Sequence, residues 1–194
     1  GLHNMLRTIN WADHKIIETF VPESNHWIPE LLKEFNLNRH KVQKSHKIGG
    51  RWENQYLEID DVPSVRTPMR FARDLGKEKM SMTSVILFEA PPHSTNPHPP
   101  FWFNIAKPQQ ITGLHDHAHL SKLSAVTYLR AEDDSGDLYF RQEGIADLRI
   151  KPEIGKMVIF PPFLKHGVHC NQSSKDRISF AFNLFPFPLI QPEI

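Results

Sequence analysis

The sequence predicts a mainly β fold, an antiparallel sandwich or jelly roll with amino-terminal helices packed outside the roll. Three observations lead there. Beyond Ser81 the chain breaks into short β-rich runs, MTSVILFEA, FWFNIAK, KLSAVTYLR, GDLYFRQ, ADLRIK, GKMVIFP and DRISFAFNLF, separated by turn residues. No helical stretch intervenes between these runs, which argues against alternating strand–helix units. Ahead of them lies a mixed region that contains a well-marked amphipathic helix, and 194 residues suit one domain.

The expected organisation is a helical or mixed supporting region over 1–80 and a β catalytic core over 81–194. From Ser24 or Asn25, SNHWIPELLKEF sets Trp27, Ile28, Leu31, Leu32 and Phe35 on one stripe behind a polar start. A second short helix is expected around Pro68 to Leu75. Between them, SHKIGGRWENQYLEIDD is broken by Gly49 and Gly50 and reads as loop or short strand. The proline-rich PPHSTNPHPP is too broken for a strand. It reads as a loop near the site mouth or along an edge, with His93 and His98 as ordinary loop residues.

Strand parity assigns sides. In DRISFAFNLF, Arg177, Ser179, Ala181 and Asn183 share one face, suited to a polar cavity, while Ile178, Phe180, Phe182 and Leu184 share an apolar exterior for the helices. By the same alternation Trp102 and Asn104 share a side, as do Ser124, Val126 and Tyr128. A buried asparagine or tyrosine is costly unless hydrogen-bonded, so Asn104 and Tyr128 either orient a ligand or satisfy a strand edge.

Composition excludes several function classes. The formal net charge is +1, from 23 basic and 22 acidic side chains, and no concentrated positive field exists for phosphate backbones, so there is no strong nucleic-acid signal. No apolar run approaches the roughly 20 residues that span a bilayer, so no membrane partner is expected. The single Cys170 excludes an intrachain disulfide and a four-cysteine zinc site, and a reducing, cytoplasmic location is the expectation.

Histidine carries the chemistry, with 12 in the chain. If GLHDHAHL is extended from Leu114 to His119, then His115, His117 and His119 point to one side and Asp116 to the other. Two imidazoles two residues apart can approach one metal but need a distant third donor, which GKMVIFPPFLKHGVHC offers in His166 or His169.

With WFN at 102–104, HDHAHLSKLSAVTYL from 115, SGDLYF from 135, GKMVIFPPFLKHGV from 155 and DRISFAFN from 176, the segment from Phe101 to Phe185 resembles the iron(II) and 2-oxoglutarate dependent dioxygenases, in particular the small bacterial and phage group with a histidine-rich iron motif. The resemblance implies a double-stranded β-helix, a jelly roll of cupin-like shape. It implies iron(II) held by His115, His117 and His166, with His117 where that family ordinarily has a carboxylate. Exchange of an anion for a neutral imidazole leaves the metal centre one unit more positive. Asp116 and the pair His117 and His119 remain alternatives.

The resemblance also places 2-oxoglutarate on Arg177, whose fork can clamp the remote carboxylate. Ser179 supplies a hydroxyl on the same face, with Asn104 and Tyr128 as further co-substrate contacts. The implied reaction couples dioxygen and oxidative decarboxylation of 2-oxoglutarate to hydroxylation of an unidentified primary substrate. Two rivals stay open: a cupin-like metalloprotein, such as an isomerase or a 2-oxoglutarate-independent dioxygenase, and a non-catalytic metal- or protein-binding jelly roll. A homodimer is also left open.

Overall fold

The computed structural model describes residues 6–116 and 120–189. The chain begins with a hairpin of β1 (Arg7–Trp11) and β2 (His14–Phe20), then α1 (Ser24–Leu37), a second hairpin of β3 (Gln43–Ile48) and β4 (Arg51–Tyr56), and α2 (Arg66–Met80). Eight strands follow: β5 (Phe101–Ala106), β6 (Thr112–His115), β7 (Leu123–Arg130), β8 (Leu138–Gln142), β9 (Ile145–Ile150), β10 (Lys156–Phe160), β11 (His166–Val168) and β12 (Arg177–Leu184). They divide between two antiparallel sheets. The larger runs β1-β2-β10-β7-β12-β5-β4-β3 and the smaller β6-β11-β8-β9. The last eight strands thus contribute four to each sheet, the double-stranded β-helix that the resemblance implies.

Two apolar clusters hold the layers. Trp11, Ile16, Val158 and Phe160 from the large sheet meet Leu138, Phe140 and Ile150 from the small one. A larger cluster joins α1 and α2 to the other face of the large sheet, through Trp27, Leu31, Phe35, Met69 and Leu75 against Phe103, Phe180 and Phe182. Phe35 of α1 lies 4.5 Å from the Phe103 ring. At Gly76 of α2, a Cβ would stand 2.5 Å from the Leu123 side chain, so glycine sets how near α2 lies to β7. Among the described residues no helix is long and apolar enough to cross a membrane.

The division at residue 80 does not describe the sheet. All four strands of the amino-terminal region extend it, with β2 paired to β10 and β4 to β5. The first hairpin escapes sequence reading because its turn residues, Ala12 and Asp13, both take positive φ (50° and 63°) without the Asn-Gly or Asp-Gly signal of such turns. MTSVILFEA, expected as a strand, forms one isolated bridge, Val85 with Phe185. β12 already has β7 and β5 on its two sides, so this segment passes the end of β12, and Ile86 and Phe88 pack on the core instead of joining a ladder. Of the run read as extended if it spans Leu114 to His119, β6 takes in Leu114 and His115 and ends there, and residues 117–119 lie outside the described residues.

Candidate active site

His115 ends β6 and His166 opens β11, and the two are direct cross-strand partners. Their ring centroids are 4.3 Å apart. His115 Nδ1 lies 2.7 Å from the Gly113 carbonyl oxygen, and His166 Nδ1 lies 2.9 Å from that of Leu164. A carbonyl only accepts, so each Nδ1 carries the proton and each Nε2 the lone pair, the tautomer a metal ligand needs. Phe160 meets the buried His166 ring edge-on at 4.7 Å and shields it from water.

Between the sheets is a cavity of about 250 Å³ whose wall includes His115, Asp116, His166, Asn104, Ser179 and Asn183. Among the described residues no three His, Cys, Asp or Glu side chains group as a metal site, so the two histidines need a further donor. His117, expected as that donor, and His119, its alternative, lie outside the described residues. His169 is elsewhere: its ring lies 4.4 Å from that of Tyr139, and burial, assisted by Arg149, holds its pKa below the ordinary value.

Register carries the strand-parity argument into three dimensions. Ser179 pairs with Asn104 on one side and Tyr128 on the other, and Ala181 with Trp102 and Val126. Ser179, Ala181 and Asn183 line the cavity. Arg177, next on that face, is only 1% exposed. Its Nη1 donates to the carbonyls of Ser135 and His169. Among the described residues its Nη2 has no hydrogen-bond partner, and neither has the buried Tyr128 hydroxyl. Burial pulls the Arg177 pKa down and pushes Tyr128 up to about 12, with each group opposing the other's shift.

Asn104 faces the cavity, but its amide is already engaged. Its Nδ2 donates to the Glu53 backbone carbonyl at 2.8 Å, and its Oδ1 accepts from Arg51 at 2.7 Å. The wall also includes His46, Glu53 and Tyr56, which sequence did not single out, and His98, which was expected to be an ordinary loop residue. The proline-rich loop does reach the site mouth, where His98 stacks on Tyr56 at 4.2 Å and 7°. His46 adopts φ 59° within β3, a conformation uncommon outside glycine and a pointer to a constrained site that no periodicity encodes. Burial, followed by His115 and His98, lowers its pKa while Glu53 opposes them.

Residues 141–183, which include His166 and Arg177, match the model of a family described as putative 2OG-Fe(II) oxygenase. No curated protein matches the chain. Among solved structures, a Pseudomonas putida prolyl-4-hydroxylase superposes with TM-score 0.60 at 13% identity, covering 90% of this chain and 94% of that one. The non-heme alpha ketoglutarate dependent carbocyclase SnoK from nogalamycin biosynthesis gives 0.63 at 11%, over 87% and 79%. The epimerase SnoN, solved with Fe3+, alpha ketoglutarate and nogalamycin RO, gives 0.62 at 13%, over 87% and 78%. At these identities the likeness is one of fold. The sequence match is to the putative 2OG-Fe(II) oxygenase family across the strands that carry His166 and Arg177, and it lies within a fold shared with these solved enzymes.

Proposed function

We propose that the chain hydroxylates a carbon–hydrogen bond of its primary substrate in the cavity between the sheets, with 2-oxoglutarate anchored by Arg177 and Tyr128. The observation that carries this reading is the pair of orphaned donors. A guanidinium buried among strands, with no carboxylate paired to it among the described residues, costs several kcal/mol unless an anion meets it. A dicarboxylate end supplies that anion and accepts from both Arg177 Nη2 and the Tyr128 hydroxyl. A cupin-like site acting on a substrate without a second acid has no such need.

His115 and His166 would hold the iron through Nε2, with the third donor drawn from Asp116, His117 or His119. Iron with 2-oxoglutarate supplies the oxidising chemistry, and the protein contributes orientation and a dry wall. Arg177 and Tyr128 fix the far end of the co-substrate, while Ser179, one pair further along the same face, meets its middle. The aromatic walls at Phe160 and Trp102 exclude water, and the mouth formed by His46, Tyr56 and His98 admits the primary substrate.

Succinate formation by matched, iron-loaded variants tests the assignment. His166→Ala is expected to lose metal and turnover together, and Arg177→Ala to keep metal but weaken 2-oxoglutarate binding by at least about 30-fold, the loss of a charge-assisted pair. His117→Asp is expected to retain turnover that His117→Ala loses, since aspartate restores an anionic oxygen to the set. Wild-type 2-oxoglutarate affinity in Arg177→Ala sinks the co-substrate assignment.

A further inference from the structure

β6 carries His115 but has little sheet to hold it. It is four residues long, lies at the edge of the smaller sheet, and among the described residues pairs with β11 alone, across a register break between His166 and Val168. Its other flank is gripped by the β3–β4 hairpin. Arg51 Nη1 donates to the Ile111 carbonyl at 2.8 Å, and the Gly113 N–H donates to Glu53 Oε1 at 3.3 Å. The same Nη1 donates to Glu53 Oε2 at 2.7 Å. The remaining fork anchors on the large sheet, with Nη2 donating to Asn104 Oδ1 at 2.7 Å and Nε to the Ile105 carbonyl at 3.1 Å.

The last link is Gly113 itself. Its N–H is held by Glu53, and its carbonyl accepts from His115 Nδ1. Hence one peptide unit intervenes at each step between the Arg51–Glu53 pair, which is nearly buried, and the ring orientation of His115. A pair whose role was only to fill space would be replaceable by apolar side chains at no cost. Here a donor is spent on the Ile111 carbonyl just ahead of β6 and an acceptor on the Gly113 N–H within it.

We propose that Arg51 and Glu53 are positioning residues that fix β6 so that His115 presents Nε2 to the metal; this rests on the reading of His115 and His166 as iron ligands. The geometry requires the arginine fork and the reach of glutamate. Lysine is a point charge that cannot serve β6, Asn104 and Ile105 together. Aspartate keeps the charge but is one methylene too short to hold both Arg51 and Gly113.

The test uses Co(II) as the metal alone, titrated anaerobically into the apo full chain and read by affinity and by the visible ligand-field spectrum, beside apo thermal unfolding. Variants are Arg51→Lys, Glu53→Asp, and the double Arg51→Met with Glu53→Met, which leaves no unpaired buried charge. Each is expected to bind Co(II) about 10- to 100-fold more weakly, the usual effect of losing a group that orients a ligand, with an altered spectrum. The double variant is expected to unfold no earlier than wild type, and 2-oxoglutarate affinity at saturating metal is expected to hold, because Arg177 is untouched. Wild-type Co(II) affinity and spectrum in all three variants overturns the positioning role while leaving the iron-site reading intact, provided His166→Ala loses Co(II). Loss of affinity only alongside an early apo transition in the double variant overturns it in favour of a purely structural pair. Co(II) binding by His166→Ala equal to wild type, or none by wild type, overturns both.

Discussion

Tyr128 and Arg177 leave two donors in the interior with no acceptor among the described residues to meet either, and this pair separates stability from function. Tyr128→Phe is expected to raise apo stability by about 1 kcal/mol, because a buried hydroxyl without a partner is removed. The same change should weaken 2-oxoglutarate by roughly tenfold, through loss of a hydrogen bond to a carboxylate. Urea unfolding and calorimetric titration of the one variant read both signs. Alkaline pH gives a second reading. Burial raises the phenol to about 12, above the unfolded value near 10, so the folded chain holds this proton where the unfolded chain releases it. The contribution is fully present below pH 10 and is lost as pH rises toward 12. Wild type should therefore lose urea resistance faster than Tyr128→Phe between pH 10 and 11. The shared face of Arg177 and Ser179 was legible in the sequence because alternation within one unbroken run fixes the side each residue takes, whereas their role toward 2-oxoglutarate is a proposal. Arg51 and Glu53 were not legible, since Arg51 grips groups 53 to 60 positions away and both stand beside a Gly-Gly pair that reads as loop.

Each element of the site is held from outside itself, and the turn before β8 shows how closely. Gly136 has φ 106°, and a Cβ there would overlap the His169 carbonyl and stand 2.8 Å from Arg177 Nη1. Gly136→Ala is expected to cost at least about 2 kcal/mol, from a left-handed backbone and overpacking together, and to displace the Arg177 fork. Thermal unfolding and 2-oxoglutarate titration would check the two effects. On the opposite face, Phe35 fastens α1 to β5 by its 4.5 Å ring contact with Phe103. Phe35→Ala should cost about 3–5 kcal/mol in urea unfolding, the usual range for a buried phenylalanine. The helix stripe from Trp27 to Phe35 and six of the seven β-rich runs could be read because apolar periodicity is local. β1, β2 and β6 could not: a turn of Ala12 and Asp13 gives no signal, and β6 is short, edge-bound and defined by what grips it.

The whole molecule should respond to its ligands as one unit, because the cavity is walled by both sheets. Saturation with 2-oxoglutarate at about 100 times its dissociation constant, with metal present, should add about 2.7 kcal/mol to unfolding stability. Arg177→Ala should lose that increment at the same concentration while keeping the one due to metal, which thermal shift under matched loading would show. The pairing of β2 with β10 has a different consequence, one of timing. Residues 14–20 wait for residues 156–160 before either strand gains this neighbour, so β2 keeps one edge unpaired until β10 has been made. Closing so long a loop is slow compared with forming a hairpin. The nascent chain therefore carries an apolar, hydrogen-bond-hungry edge until β10 emerges, and proteins that shield such edges during translation are expected to raise its yield.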